Sequence, residues 1–272
     1  MGASFTQSDT LLQSTHRVPA IVARMFSRAG KVIALTVSSA LMLSACLRLP
    51  PTESPIPHVI TTGGDESGKT LIVMLPGRGD RAETFIDAGF ADIGTQHHFD
   101  TIAVDAHFGY YRQRSLLPRL REDIIEPARA QGYENIWLLG VSMGGFGSLL
   151  YAQAHPDDID GLILLAPYVG SDKIVADVKA AGTLSNWETD GKGLRDYEVD
   201  VWRWLQAQTA DPDGTPVFIG YGRSDSLAGA YGPLLDAMQP SKVFARDGEH
   251  KWTTWTPIWA SIASELGSHA SP

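Results

Sequence analysis

The sequence predicts an α/β fold: a mostly parallel sheet with helices on both faces and a small cap insertion. Two observations carry that expectation. Short, continuous apolar runs (TLIVML at 70–75, NIWLL at 135–139, LILL at 162–165) read as strands covered on both faces. Segments of helical spacing alternate with these runs, and alternation of this kind implies parallel strands joined by right-handed crossovers. The 272 residues are 43% hydrophobic and 19% charged, which excludes disorder, collagen and coiled coil.

The first strand of the alternation is Thr70–Leu75, closed by the turn-rich loop Pro76-Gly77-Arg78-Gly79-Asp80. A helix is expected over Ala82–Ile93, then a short strand at Thr101–Val104. Leu116, Leu120 and Ile124 have helical spacing over Leu116–Gln131, and Gly132 stops the run. Pro127 lies inside it and is expected to kink or shorten it. Strand Asn135–Leu139 precedes helix Gly147–Ala154, and strand Leu162–Leu165 follows. Pro216–Gly220 and Lys242–Ala245 complete the strands, with a helix between them and one after. Tyr168–Asp211 breaks the rhythm. It is too long for a simple loop and holds a helical segment at Val199–Gln208, so it reads as a cap over the strand ends. Trp187, Trp202 and Trp204 lie there, either lining an apolar pocket or forming the cap's own core.

The front end has a different character. Residues 1–45 carry Arg17, Arg24, Arg28, Lys31 and Asp9, a balance of +3, so the remainder of the chain, at −9 overall, carries −12. Arg28 and Lys31 followed by apolar Val32 to Met42 read as an export signal, and the apolar run is short for a membrane span. Because 24 residues precede Met25, Met25 is expected to be the true start. Leu43-Ser44-Ala45-Cys46 resembles the lipobox of bacterial lipoproteins. That resemblance implies cleavage before Cys46, the one cysteine in the chain, and acylation of its thiol. By resemblance to enterobacterial sorting rules, the absence of Asp at Leu47 implies a lipid anchor in the outer membrane, facing periplasm or surface. LRLPPTESPIP at 47–57 reads as a Pro-rich tether, with the folded domain starting near His58.

Chemistry is sought at the strand ends. Gly140-Val141-Ser142-Met143-Gly144 is a G-x-S-x-G motif between a buried strand and a helix. A sharp turn there lifts the serine hydroxyl clear of the sheet, and a side chain at Gly140 or Gly144 would collide with the neighbouring strand or helix. The hydroxyl needs a base. His250 follows the last strand on the same sheet edge. His107 also follows a strand and is the competitor. His97, His98, His155 and His269 lie at the wrong edge, beyond a helix or in the tail. Asp225 follows the strand before His250 and suits two roles, the acid that orients the base and a helix N-cap. Asp211 and Asp213 lie at the wrong end of that strand.

The order Ser142, Asp225, His250 resembles the α/β-hydrolase fold family, from about Thr70 to Ile262. LPGRGD at 75–80 looks like the oxyanion loop after that family's third strand, with Pro76 in place of the usual His. The resemblance implies oxyanion donors at the Met143 and Arg78 amides, with Gly79 the alternative to Arg78. GVSMGGFGS, APY at 166–168 and GEHKWTTW at 248–255 look most like compact esterases of the esterase D and feruloyl-esterase-like kind. The expected activity is hydrolysis of a small carboxylic ester by a serine hydrolase. Alternatives are a thioesterase or peptidase on the same residues, or a non-catalytic envelope lipoprotein that retains the fold. No cofactor, metal or obligate protein partner is implied. The acidic balance argues against nucleic acid, and the single cysteine excludes internal disulfides and multi-Cys zinc sites.

Overall fold

The computed structural model describes residues 50–63 and 69–270. The expected start at Met25, the charged and apolar signal regions and the lipobox Cys46 lie outside the described residues. These described residues group as one compact unit.

Seven strands form one sheet: β1 (His58–Thr61), β2 (Thr70–Leu75), β3 (Asp100–Val104), β4 (Asn135–Val141), β5 (Gly161–Leu165), β6 (Val217–Gly222) and β7 (Val243–Arg246). Their order is β1-β3-β2-β4-β5-β6-β7. Only β1 runs antiparallel, with His58 opposite Val104 and Thr61 opposite Thr101. The central strands are buried on both faces, which is why they read as continuous apolar runs rather than alternating ones. One face packs Leu71, Val73, Leu138 and Leu164 against helices on that side. The other packs Ile72, Met74, Leu139 and Ile163 against Phe85, Phe90, Trp255 and Trp259.

The expected helix Ala82–Ile93 is two helices, α1 (Ala82–Asp87) and α2 (Phe90–Gln96). Gly89 between them has φ +74, a conformation that ends a helix. Helix α3 (Phe108–Arg112) follows β3. The long helix expected to Gln131 is α4 (Leu116–Leu120), a π-helical turn at Arg121–Ile125, and α5 (Glu126–Ala130). Pro127 has no N–H and its ring crowds the carbonyl four residues back, so the ladder widens just before it. The strand β4 leads into α6 (Met143–Ala154).

The insertion between β5 and β6 forms α7 (Asp172–Ala180), a single turn at Leu184–Asn186 and α8 (Asp196–Ala210). Its tryptophans are core rather than pocket. Trp187 and Trp202 are buried, and Trp202 Nε1 donates to the Val169 carbonyl at 2.8 Å. Val199, Trp202 and Leu205 join the same core as β2 and β4. Helices α9 (Gly232–Ala237) and α10 (Trp252–Ala270) flank β7.

The Pro-rich stretch expected to be a tether up to residue 57 is fastened to the domain from Thr52 onward. Ile56 is buried, and its N–H donates to Asp123 Oδ2 at 2.8 Å. The Glu53 N–H donates to the Tyr110 hydroxyl at 2.9 Å, and Thr52 Oγ1 donates to Gln113 at 2.6 Å. One buried isoleucine and these bonds outweigh the extended preference of the prolines, so the packed chain begins before His58.

Candidate active site

Ser142 sits where β4 turns into α6, at φ 52 and ψ −113. This is sparsely populated backbone for a residue with a side chain. The turn is pinned from β5 and its following loop: Ser142 N–H donates to the Leu165 carbonyl at 2.9 Å, and Tyr168 N–H donates to the Ser142 carbonyl at 2.9 Å. The space around the turn admits no side chain at the flanking positions. A Cβ on Gly140 would strike the backbone of Gly144 and Gly145, and one on Gly144 would strike the Leu75 carbonyl.

The loops after β6 and β7 bind each other. Arg223 N–H donates to the Arg246 carbonyl at 2.8 Å and Ser224 N–H to the Gly248 carbonyl at 3.0 Å. Asp225 and His250 are thereby brought side by side. His250 Nδ1 lies 2.8 Å from Asp225 Oδ2 and 3.0 Å from Oδ1, and its Nε2 lies 3.0 Å from Ser142 Oγ. The Asp225 side chain is fully buried, and its Oδ1 also accepts the Leu227 N–H at 2.8 Å. Of the two roles weighed from the sequence, the carboxylate takes the position beside His250; the next helical turn starts after Leu227, so the bond from the Leu227 N–H closes a turn within the loop and caps no helix.

His107 is elsewhere. It caps α3, its Nδ1 accepting the Gly109 N–H at 3.1 Å, and burial holds its imidazole below the ordinary value. His155 ends α6 against Tyr151, and the side chain of His269 is not among those described.

A cleft of about 380 Å³ opens over Ser142 and His250, walled by Gly77, Arg78, Asp80, Trp252 and Trp255. In its floor, Asp80 N–H donates to the Gly77 carbonyl at 3.2 Å, closing a tight turn over Arg78 and Gly79. Gly79 has φ +94, as the third residue of a type II turn requires. The Arg78 guanidinium lies 5.7 Å from the centre of the Phe108 ring. Met143 is the first residue of α6, where an N–H has no intrahelical acceptor. Its carbonyl accepts the Tyr111 hydroxyl at 3.1 Å.

Sequence reasoning assigned no role to Asp80, Trp252 or Trp255. Trp255 meets the His250 ring edge-on at 4.8 Å and Trp252 packs against Trp255 at 5.4 Å. Burial raises the Asp80 carboxyl above its ordinary value, opposed by a hydrogen bond from Trp252 and by His250. The one available signal was proximity in sequence, two tryptophans within five residues of His250. Within α6, Phe146 makes edge contacts with Tyr168 and Tyr197. Among the described residues, no cluster of His, Cys, Asp or Glu is placed to hold a metal ion.

Residues 67–190 match the family model described as serine aminopeptidase, S33. No curated protein gives a significant match. Among solved structures, a fluorophosphonate-binding serine hydrolase of Staphylococcus aureus, FphF, is similar over 80% of this chain and 96% of its own, at 15% identity and TM-score 0.56. Est1E from Butyrivibrio proteoclasticus is similar over 78% and 93%, at 17% identity and TM-score 0.55. A monoacylglycerol lipase of Paleococcus ferrophilus covers 79% and 99%, at 17% identity and TM-score 0.53. With its mostly parallel sheet, its strand order and these likenesses to solved structures, the chain has the α/β-hydrolase fold.

Proposed function

We propose that the protein hydrolyses carboxylic esters through an acyl-enzyme, with Ser142 as nucleophile. The observation that carries the reading is the unbroken chain from Asp225 to His250 Nδ1 at 2.8 Å and from His250 Nε2 to Ser142 Oγ at 3.0 Å. His250 takes the hydroxyl proton as Oγ attacks the carbonyl, then returns it to the leaving alcohol. Asp225 holds the imidazole in the tautomer that leaves Nε2 free to accept. The amides of Met143 and Arg78 receive the oxyanion, each donor typically worth about 2.7–4 kcal/mol. Similar solved structures support the substrate class: one is a monoacylglycerol lipase and another a ferulic acid esterase. The protein is further read as a lipoprotein, acylated at Cys46 and held in the cell envelope.

A second reading, cleavage next to a free amino terminus, is favoured by Asp80, a carboxylate in the cleft wall suited to pairing with an ammonium, and by the description of the matched family. Fluorophosphonate labelling of wild type and Ser142→Ala, followed by p-nitrophenyl esters of increasing acyl length beside leucine p-nitroanilide, tests both. Ester turnover with no anilide turnover supports the first reading. Labelling that persists in Ser142→Ala overturns the nucleophile.

A further inference from the structure

We propose that the surface formed by Arg78, Phe108, Arg112 and Arg114 docks on an anionic phospholipid surface, so that the Ser142 cleft takes its ester at the membrane face. The proposal rests on the lipoprotein reading of Cys46 and on where the described chain begins. The Pro50 carbonyl lies against Gly109: a Cβ built there would come within 3.2 Å of it. Thr52 and Glu53 bond to Gln113 and Tyr110. The chain therefore enters the domain on α3. That helix follows the carboxyl end of β3, and Arg78, after the carboxyl end of β2, reaches its Phe108. This is the sheet edge that carries Ser142. Four residue steps separate Cys46 from Pro50, a reach of at most about 14 Å. Acyl chains at Cys46 would thus hold this edge, rather than the opposite one, close to the lipid.

The chemistry of the face fits that position. Arg81, Arg119, Arg121, Arg129, Arg195 and Arg223 are each paired with a carboxylate. Arg78, Arg112 and Arg114 are exposed and, like Arg203 and Arg246 elsewhere on the domain, have no carboxylate partner among the described residues. Phe108 is one of the few large apolar side chains left exposed, at 37%. Arg112 is four residues along from it, on the same side of α3. The stripe therefore runs cation, aromatic, cation, with Arg114 just beyond. Its acidic neighbours are Glu53, Asp80 in the cleft and Asp105, which Arg81 already pairs. On a domain with an excess of acid, three unpaired arginines around an exposed ring suit phosphate headgroups, with the ring at the headgroup level.

The test uses the chain as the cell processes it, mixed with vesicles of phosphatidylcholine alone or with equal phosphatidylglycerol, and follows amide hydrogen exchange. Amides of 108–114 should exchange about tenfold more slowly on the anionic vesicles, and those of 131–134, at the far sheet edge, should not change. Arg112→Glu with Arg114→Glu should abolish the slowing while p-nitrophenyl acetate turnover in solution stays at the wild-type rate. Acylated, vesicle-bound protein without anionic-lipid slowing at 108–114 overturns the face and leaves the anchor standing. A chain free of acyl groups, judged by mass, overturns the anchor. In that case slowing on anionic vesicles still supports the face, and its absence overturns it.

Discussion

Asp225 serves two partners with one buried carboxylate, fixing Leu227 of its own loop and His250 of the next. Its position is therefore set by the backbone and survives changes at His250 or Ser142. Ser142→Ala and His250→Ala should each lower kcat on a short-chain ester by about 10⁴–10⁶-fold, and the double variant little more. Asp225→Asn should lose less, because the amide still accepts from Leu227 while misorienting the ring. Circular dichroism must show all of them folded, and full turnover in folded Ser142→Ala would end the mechanism. His107 makes a different prediction. Burial depresses its imidazole from the ordinary 6.5, with the Asp105 carboxylate opposing. The folded state binds that proton more weakly than the unfolded chain, so the contribution is complete above pH 6.5 and is lost as pH falls through the lower folded value. His107→Asn keeps a good N-cap without a titrating ring. Its melting temperature should fall less steeply than that of wild type from pH 7.5 to 5. Ser142, His250 and Asp225 were legible because each carries a local signal, a glycine-flanked turn or a place just after a strand. Asp80 and Trp252 become neighbours only when two distant loops meet, and no local pattern records that.

Elements were legible in proportion to their hydrophobic runs. Thr70–Leu75 begins and ends where its run does, whereas β4 continues through Gly140 and Val141, residues that read as turn. Helix α7 buries only Ile174 and Val178, too few positions to set a period. What joins it to α8 is a carboxylate. Glu198, 1% exposed, accepts the Ser171 N–H at 2.9 Å, the Ser171 hydroxyl at 2.8 Å and Arg195 at 3.0 Å. Glu198→Ala would leave the Ser171 donors without an acceptor, at a cost of about 1–3 kcal/mol, read as a lowered urea midpoint at unchanged m. Because Tyr168 and Tyr197 flank this clamp and touch Phe146 beside the elbow, KM for longer acyl chains should rise more than kcat falls. Gly144→Ala, with its Cβ driven against the Leu75 carbonyl, should cost about 1–3 kcal/mol and most of the activity.

At the scale of the whole molecule, the sheet and both helical layers followed from the alternation, but the beginning of the packed chain did not. β1 is four residues with half its side chains exposed, and the segment before it is rich in proline, so neither shows a strong period. A chain starting at His58 should melt about 6–12 °C below one starting at Pro50. The loss of buried Ile56 alone is worth about 3 kcal/mol, and a thermal melt of the two proteins decides it. The outer strands carry a further consequence. The sheet ends on β1 and β7, each four residues long, so the folded domain offers a foreign strand very few open backbone groups to pair with. Among the described residues, TLIVML and NIWLLGV, two segments able to seed fibrils, lie in β2 and β4, two of the inner strands. These strands of the folded domain should therefore seed amyloid only after the domain has opened globally. On slow heating, thioflavin signal should begin no earlier than the loss of near-ultraviolet dichroism.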